Sequence, residues 1–547
     1  MGFLYEELET ARKYNPAAFA MPKEIVPNLN PAFEVRPYQR LAFENFAFHL
    51  AGPTPGKKPM QVLFHMATGS GKTLMMAGLI IYLYKKGYRD FLFFVNLSNI
   101  VQKTKENFLN SRSSKFLFAP EIGIDGDRVP VKEVDNFQDS DPKAINICFT
   151  TTQGLHSDIW NAKENSITLN DFDGRKIVLI SDEAHHLNAD TKKMNETESA
   201  SYHSWEETVK KIFMRNAENI LLEFTATCDL KNPQINAEYR DKIIFNYPLS
   251  EFRKDGYSKE IMTLRTDVKM MDRALMAVVL SQYRLKVFQS AGLLVKPVVL
   301  FKARTVKESE AFMDAFIATV AKLKAKDIAR LAGLTDNGTM KRAFAYFQVK
   351  KITDEQLAQE LRLDFSKEHC ISANDEKEAG ERQLALNSLE EVSNPYRAVF
   401  EVKKLDEGWD VLNLFDIVRL YETRQSGGKA ISSTTIAEAQ LIGRGSRYYP
   451  FILAPGQEKF RRKYDNDAAN QLRICEELYY HCQIDPRYIA ELKNALKNIG
   501  ADIDKSKTCE YKLNPTFHVR KQNPSGCWGF AHRSSLHSRF RRVGSFA

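Results

Sequence analysis

The sequence lacks the features of a membrane or exported protein. No apolar run approaches the roughly 20 residues that a helix needs to cross a bilayer. The N-terminal stretch MGFLYEELETARKYN carries acidic residues and has no apolar signal-peptide region. The seven cysteines are scattered without a CxxC pair, which argues against a zinc site or a disulfide framework. These absences predict a cytoplasmic protein that does not associate with a membrane.

Acidic residues are also absent from the end of the chain. From Tyr511 to Ala547 there is no Asp or Glu, whereas seven basic residues occur there. Most of the formal net charge of +9 therefore belongs to this tail, and the rest of the 547-residue chain is close to neutral. Net charge by itself thus gives no argument for binding nucleic acid.

The residues HMATGSGKT, 65–73, lie between an apolar run and a helix-like run. This order of strand, glycine-rich turn and helix is the context of a phosphate-binding loop. Lys72 is expected to reach the β- and γ-phosphates of a nucleotide, and the Thr73 hydroxyl to bind Mg²⁺. Met66 stands where the general pattern has glycine, and a chance match on a surface loop is the alternative. The predicted nucleotide contacts in this loop are Thr68, Gly69, Ser70, Gly71, Lys72 and Thr73.

Several apolar runs after this loop end in polar clusters, as parallel strands do at the ligand-binding edge of a doubly wound sheet. The run 177–180 leads into Asp182, Glu183 and His185. Asp182 is the predicted partner of Mg²⁺, and Glu183 is predicted to orient and deprotonate the attacking water. An acidic helix cap after a buried strand is the alternative.

A second alternating block begins near residue 296, and the pattern from about 456 onward, including QLRICEELYYHC, is interpreted as helical. The fold class is therefore α/β, with two doubly wound parallel-sheet domains and a mainly helical C-terminal extension. The predicted segments are an N-terminal preface (1–33), a first domain (34–255), a second domain (256–455) with a charged helical insertion at about 305–395, a helical extension (456–515) and a basic tail (516–547).

The segment 440–447, QLIGRGSR, carries two arginines three residues apart. On one helix face, Arg444 and Arg447 can both bring positive charge to a γ-phosphate across a domain cleft. An exposed basic helix is the alternative. Upstream, Gly408 permits a close turn and Asp410 is a candidate for coupling nucleotide state to movement. For Trp409, packing in the cleft wall is favoured over stacking on a base.

Together these motifs resemble those of a superfamily 2 helicase. An RPYQ-like opening, ATGSGKT, DEAH, TAT and QxxGRxxR occur in that order. The phrases LDEGWDVLNLFDIVRL and LRICEELYYH give a closer similarity to the restriction (Res) subunit of type III restriction-modification enzymes. The resemblance covers roughly residues 34–515. It implies two RecA-like domains, ATP and Mg²⁺ as cofactors, and a motor on double-stranded DNA in complex with a modification methyltransferase.

The resemblance also implies roles for single residues. Arg444 and Arg447 would be arginine fingers, with Gln440 near the γ-phosphate and His185. Thr225 and Thr227 would couple hydrolysis to movement. Gln39 would use its carboxamide to bind adenine, and an ordinary helix start at RPYQ is the alternative. The DNA path would pass Ser98, Thr151, Lys302 and Arg304, mostly through phosphate contacts, although strand-end Ser and Thr residues are also common helix caps.

The chain departs from the family after residue 455, where no PD-(D/E)xK nuclease cluster is found. We expect a shortened or frame-shifted product whose nuclease activity is absent, and a natural basic tail that grips DNA is the alternative. Two other functions stay open: a stand-alone superfamily 2 helicase on DNA or RNA, and a non-catalytic fragment that binds nucleotide or a partner.

Overall fold

A computed structural model of the chain forms two units, Met1–Asp502 and Ile503–Ala547, which are described separately. The structure describes residues 2–52, 58–161, 166–182, 196–228, 230, 232–334, 337–374, 379–403, 409, 411–421, 431–467 and 469–501, together with two short strands in the second unit. Within these residues, no helix combines the length and the apolar character needed to span a membrane.

The first half of the larger unit is built on a sheet of seven parallel strands. The strands of this sheet are β1 (Met60–Met66), β2 (Asp90–Val95), β5 (Val131–Glu133), β6 (Ile145–Thr151), β7 (Ile177–Asp182), β8 (Ile220–Thr225) and β9 (Ile243–Tyr247). A separate small hairpin is formed by β3 (Gly123–Ile124) and β4 (Asp127–Arg128). The spatial order is β5-β6-β2-β7-β8-β1-β9. All six pairings are parallel. Strands β2 and β8 are buried along their whole length, which explains their continuous apolar runs in the sequence.

The helices of this half are α1 (Leu4–Tyr14), α2 (Ile25–Asn28), α3 (Pro37–Ala51), α4 (Lys72–Lys85), α5 (Ser98–Leu109), α6 (Thr152–Trp160), α7 (Glu196–Phe213), α8 (Pro233–Tyr239) and α9 (Leu249–Lys254). Helix α4 follows the predicted phosphate loop and is buried from Leu74 to Tyr84. Gly78 permits its close packing, because a Cβ there would lie 2.5 Å from Phe43 Cζ of α3. The loop is therefore held between a buried strand and a buried helix.

The second half contains a sheet of six parallel strands: β10 (Glu260–Thr266), β11 (Val298–Lys302), β12 (Cys370–Ser372), β13 (Ala398–Glu401), β14 (Leu414–Arg419) and β15 (Glu477–Gln483). Their order is β10-β15-β14-β11-β13-β12. Its helices are α10 (Met270–Ser290), α11 (Val306–Val320), α12 (Ala325–Gly333), α13 (Gly338–Val349), α14 (Asp354–Asp364), α15 (Ala379–Asn387), α16 (Ser433–Gly445) and α17 (Pro486–Asn498). The two parallel sheets with alternating helices confirm the predicted α/β fold class, and α17 is a helix of the C-terminal region.

The helical interpretation of QLRICEELYYHC is wrong. Residues Gln471–Glu476 form a 3-10 turn and Glu477–Gln483 form β15, which pairs in parallel with both β10 and β14. An interior strand is buried on both faces, so it lacks the alternation that distinguishes a strand from a buried helix in sequence. In the smaller unit, β16 (Arg520–Gln522) and β17 (Trp528–Phe530) pair antiparallel.

Candidate nucleotide site

Three neighbouring strands bring the predicted motifs of the first half together. In the order β7-β8-β1, the carboxyl ends carry Asp182, Thr225 and the loop after Met66. The register places Asp182 beside Phe224, and Thr225 beside His65. The acidic motif, the TAT motif and the phosphate loop therefore meet at one edge of the sheet, where open parallel sheets bind ligands.

The loop itself has the geometry of an anion cradle. Gly69 and Gly71 both have a φ of +81°, a conformation that residues with a Cβ rarely adopt. Helix α4 starts at Lys72, and no described side chain caps its N-terminal end. The Ser70 hydroxyl oxygen is buried and has no hydrogen-bond partner among the described atoms. A phosphate group fits these features, because it would accept hydrogen bonds from the hydroxyl and from the free N–H groups of the first turn.

The residues that would hold Mg²⁺ are consistent with a metal bound partly by the nucleotide. Asp182 is half-buried at the end of β7, and Thr73 is half-buried in the first turn of α4. No group of three or more His, Cys, Asp or Glu side chains in the described ranges is placed to hold a metal. Mg²⁺ usually keeps several waters and phosphate oxygens among its ligands, so one carboxylate and one hydroxyl fit this ion.

Gln39 braces the phosphate loop in this structure. Its Nε2 donates a hydrogen bond to the Ser70 carbonyl at 2.8 Å, and its Oε1 accepts one from the Arg36 backbone N–H at 2.9 Å. The Tyr38 hydroxyl donates to the same Ser70 carbonyl at 2.8 Å. Gln39 is only 1% exposed. Adenine binding by Gln39 stays a prediction, and it requires the release of at least one of these bonds.

The arginine motif begins in helix α16 and continues past its end. The helix contains Gln440 and Arg444 and ends at Gly445, so Arg447 belongs to the segment that follows. The predicted placement of both arginines on one helix therefore needs correction for Arg447. The Arg447 side chain packs on Gly69: a Cβ on this glycine would lie 2.8 Å from Arg447 Cγ and 3.2 Å from its Nε. One arginine of the motif thus contacts the phosphate loop directly.

Lys103 on α5 is a charged residue near the arginine motif that the sequence analysis missed. Burial lowers the pKa of Lys103 to about 7, and the positive charges of Arg447, Lys115 and Arg444 act in the same direction. A lysine on a helix after a strand has no distinguishing sequence pattern. The position of Lys103 near Arg444 and Arg447 of the second half is visible only in the structure. The cleft therefore concentrates positive charge, which favours an anionic ligand.

The TAT motif forms a compact turn beside a buried histidine. The Thr225 hydroxyl donates to the Thr227 carbonyl at 2.9 Å and accepts from the Thr227 N–H at 3.1 Å. His65 Nδ1 lies 2.7 Å from Asn246 Oδ1 on β9. Burial lowers the pKa of His65, and the nearby Lys72 charge lowers it further. A neutral His65 therefore links the loop strand to its outer neighbour, a contact that sequence analysis did not predict.

The four predicted DNA contacts have different environments. Ser98 and Arg304 are exposed. The Thr151 hydroxyl caps α6 by accepting a hydrogen bond from the Gly154 N–H at 2.9 Å, which is the structural role noted as the alternative. Lys302 is 4% exposed, and its Nζ lies 2.7 Å from Glu401 Oε1. The prediction for Lys302 needs correction, because its charge is neutralised inside the sheet rather than presented to a phosphate.

Four predicted residues, Glu183, His185, Gly408 and Asp410, lie outside the described residues. Trp409 is described: it is buried, and its Nε1 donates a hydrogen bond to the Leu386 carbonyl at 3.0 Å. This contact confirms packing in preference to base stacking for Trp409.

Comparison of the sequence with known protein families and proteins shows which family the chain resembles. The family described as type III restriction enzyme, res subunit, matches residues 32–230. The probable type III restriction-modification enzyme HindVIP Res subunit of Haemophilus influenzae is 39% identical over 456 residues, which cover 75% of this chain and 88% of that protein. The chain belongs to the type III Res subunit family. A second family, described as an N-terminal region, matches residues 434–505 of this Res-family chain.

Other similarities are weaker. An uncharacterised protein of H. influenzae is 42% identical over 97 residues, which cover 17% of this chain and 21% of that protein. Among solved structures, S. cerevisiae Dbp5 bound to RNA and ADP BeF3 is 11% identical with a TM-score of 0.42, covering 86% of this Res-family chain and 88% of Dbp5. The ATP-dependent Type ISP restriction-modification enzyme LlaBIII bound to DNA is 13% identical with a TM-score of 0.43. The similarity covers 86% of this chain and 33% of the LlaBIII chain.

Proposed function

We propose that this Res-family chain is an ATP-hydrolysing motor that moves on double-stranded DNA together with a modification methyltransferase. The observation that carries the proposal is the contact of Arg447 with Gly69. It joins the arginine motif of the second half to the phosphate loop of the first half. Such a composite cleft lets nucleotide binding draw the two halves together and hydrolysis release them, which is how a motor converts chemistry into movement.

The proposed roles follow from chemistry at each position. The loop N–H groups, the Ser70 hydroxyl and Lys72 bind the phosphates, and Thr73 and Asp182 hold Mg²⁺. When bound, Mg²⁺ neutralises phosphate charge and orients the γ-phosphate. Glu183, predicted from sequence alone, accepts a proton from the attacking water. Arg447, with Arg444, stabilises the negative charge that develops on the γ-phosphate oxygens.

The partner and the track are inferred from the family. The name of the 39% identical relative places that protein in a restriction-modification enzyme. A modification subunit is therefore the proposed partner, and duplex DNA the proposed track. The exposed Arg304 at the end of β11 is a candidate for contacting a DNA phosphate in such a complex.

ATP hydrolysis by the purified chain tests the proposal, with Glu183→Gln as the control for contaminating activity. The assay compares no nucleic acid, duplex DNA, single-stranded DNA and RNA, each with and without a cognate methyltransferase. We expect stimulation by duplex DNA only when the methyltransferase is present. Lys72→Ala and Arg444→Ala are expected to abolish turnover, while Glu183→Gln still binds ATP.

The other outcomes exclude the proposal in different ways. Stimulation by single strands without methyltransferase would replace the type III motor with a stand-alone helicase. Absence of hydrolysis in every arm would leave a nucleotide- or partner-binding chain. Full turnover in Arg444→Ala would remove this arginine from the composite cleft.

A further inference from the structure

The second half contains a lysine that is completely enclosed. Lys259 precedes β10 by one residue, at the connection between the two sheets, and is 0% exposed. Within the described residues, its Nζ donates hydrogen bonds to four backbone carbonyls. These acceptors are the carbonyls of Leu412 at 2.7 Å, Leu414 at 2.9 Å, Gly445 at 3.1 Å and Arg447 at 2.6 Å.

Four carbonyl oxygens around one nitrogen match the charged form of Lys259. Burial and the nearby Arg284 charge lower the pKa of Lys259 well below its ordinary value, whereas the four carbonyl acceptors oppose this shift by favouring the protonated form. An ammonium has three protons to share among the four oxygens, whereas a neutral amine has two and would turn its lone pair toward an acceptor. The ring of Phe415 lies 4.5 Å from Nζ and adds a favourable cation–π contact.

Two of the four carbonyls belong to the segment that carries Arg447. The backbone N–H of Lys259 also donates to the Ser446 carbonyl at 2.5 Å, and Ser258 forms an isolated β-bridge with Arg447. The segment is thus held by main-chain and side-chain bonds together. The Gly445 carbonyl lies at the C-terminal end of α16, where the helix dipole favours a positive charge.

We propose that Lys259 is a positioning residue for ATP hydrolysis, because it fixes the segment 445–447 so that the Arg447 side chain meets the phosphate loop. The inference rests on the proposed function, since it gives Lys259 the role of positioning an arginine of the same cleft. Lys259 lies outside that cleft and acts through Arg447. Loss of the ammonium leaves four carbonyls, two of them in buried hydrogen bonds, without this donor, which frees the segment to shift.

The test is Lys259→Met in the full chain, assayed with duplex DNA and methyltransferase. We expect kcat to fall by about tenfold to a hundredfold, as displacement of a catalytic group by about 1 Å does, while KM for ATP stays nearly constant. In an Arg447→Ala background the same substitution should lower kcat no further, because the group it positions is already absent. Lys259→Gln retains two donors on a shorter side chain and should give a smaller loss.

Lys296→Met is the matched control. Lys296, like Lys259, lies just before a strand of the second sheet and donates a hydrogen bond to a backbone carbonyl, but its Nζ bonds to Asn394 and not to the segment 445–447. Its loss should reduce thermal stability without changing kcat. Amide hydrogen exchange of a peptide spanning 444–450 gives a second measurement, and Lys259→Met should accelerate exchange there.

Three results would overturn the proposal. The first is unchanged amide exchange at 444–450 in Lys259→Met. The second is a fall in kcat caused by Lys259→Met that adds fully to the fall caused by Arg447→Ala. The third is a fall in kcat in Lys296→Met as large as that in Lys259→Met. If Lys259→Met fails to fold, Lys259→Gln decides the question by the same criteria. Absence of turnover in the unmodified chain would instead overturn the proposed function, whereas the exchange measurement would still test the anchoring.

Discussion

Substitution of Gly69 by alanine tests whether Arg447 contacts the phosphate loop. The φ of +81° at Gly69 costs an L-residue about 1–2 kcal/mol. The new Cβ would also lie 2.8 Å from Arg447 Cγ, a distance that real Cβ atoms essentially never show, and 3.2 Å from Cδ, which is a tight contact. Because Cγ is near the backbone, relief of this clash must redirect the whole Arg447 side chain. We therefore expect kcat to fall by about a hundredfold, in line with misplacement of a catalytic group by about 1 Å.

Comparison of kcat with thermal stability separates backbone strain at Gly69 from displacement of the Arg447 side chain. Gly174→Ala is the control, since Gly174 has a φ of +71° and no described atom within 4 Å of an added Cβ. It should lose similar stability in thermal unfolding but keep normal turnover. In an Arg447→Ala background, Gly69→Ala should lower kcat little further. Normal kcat in Gly69→Ala, or a full hundredfold loss on top of Arg447→Ala, would refute the contact.

Four further predictions concern stability and DNA. Burial raises the pKa of Glu223 from 4.5 to about 7, so its contribution to stability is fully present below pH 4.5 and is lost as pH rises through 7. Glu223→Gln should recover up to about 3 kcal/mol above pH 7, measured by thermal unfolding. Thr151→Val removes the cap of α6 and should cost about 1 kcal/mol. Lys302→Met should destabilise the chain by about 3–5 kcal/mol, whereas Arg304→Ala should leave stability unchanged and weaken DNA binding.

Each of these predictions has a contradicting result. Unchanged pH dependence in Glu223→Gln would mean that Glu223 is not the titrating group. Full stability in Thr151→Val would show that the cap bond at 2.9 Å contributes little. If Lys302→Met weakened DNA binding at unchanged stability, the original assignment of Lys302 to the DNA path would return. For Arg304→Ala, an unchanged salt dependence of DNA affinity would exclude a phosphate contact.

The sequence alone determined the motifs and most of the fold. Buried parallel strands need continuous apolar runs, and β7 (Ile177–Asp182) contains the predicted run 177–180. The phosphate loop, the acidic strand end and the TAT motif also follow from local patterns. In a parallel sheet, polar residues at the carboxyl end of a strand lie where ligands bind. These sites could therefore be predicted from local sequence, without knowledge of distant contacts.

Tertiary structure decided what depends on residues far apart in the chain. It made Glu477–Gln483 a strand, because this segment fills the space between β10 and β14. It paired Lys302 with Glu401, placed Arg447 on Gly69 and enclosed Lys259 in four carbonyls. A lysine in a sequence looks the same whether it faces DNA, a carboxylate or a set of carbonyls. Only the packing of the two sheets fixes which of these partners it meets.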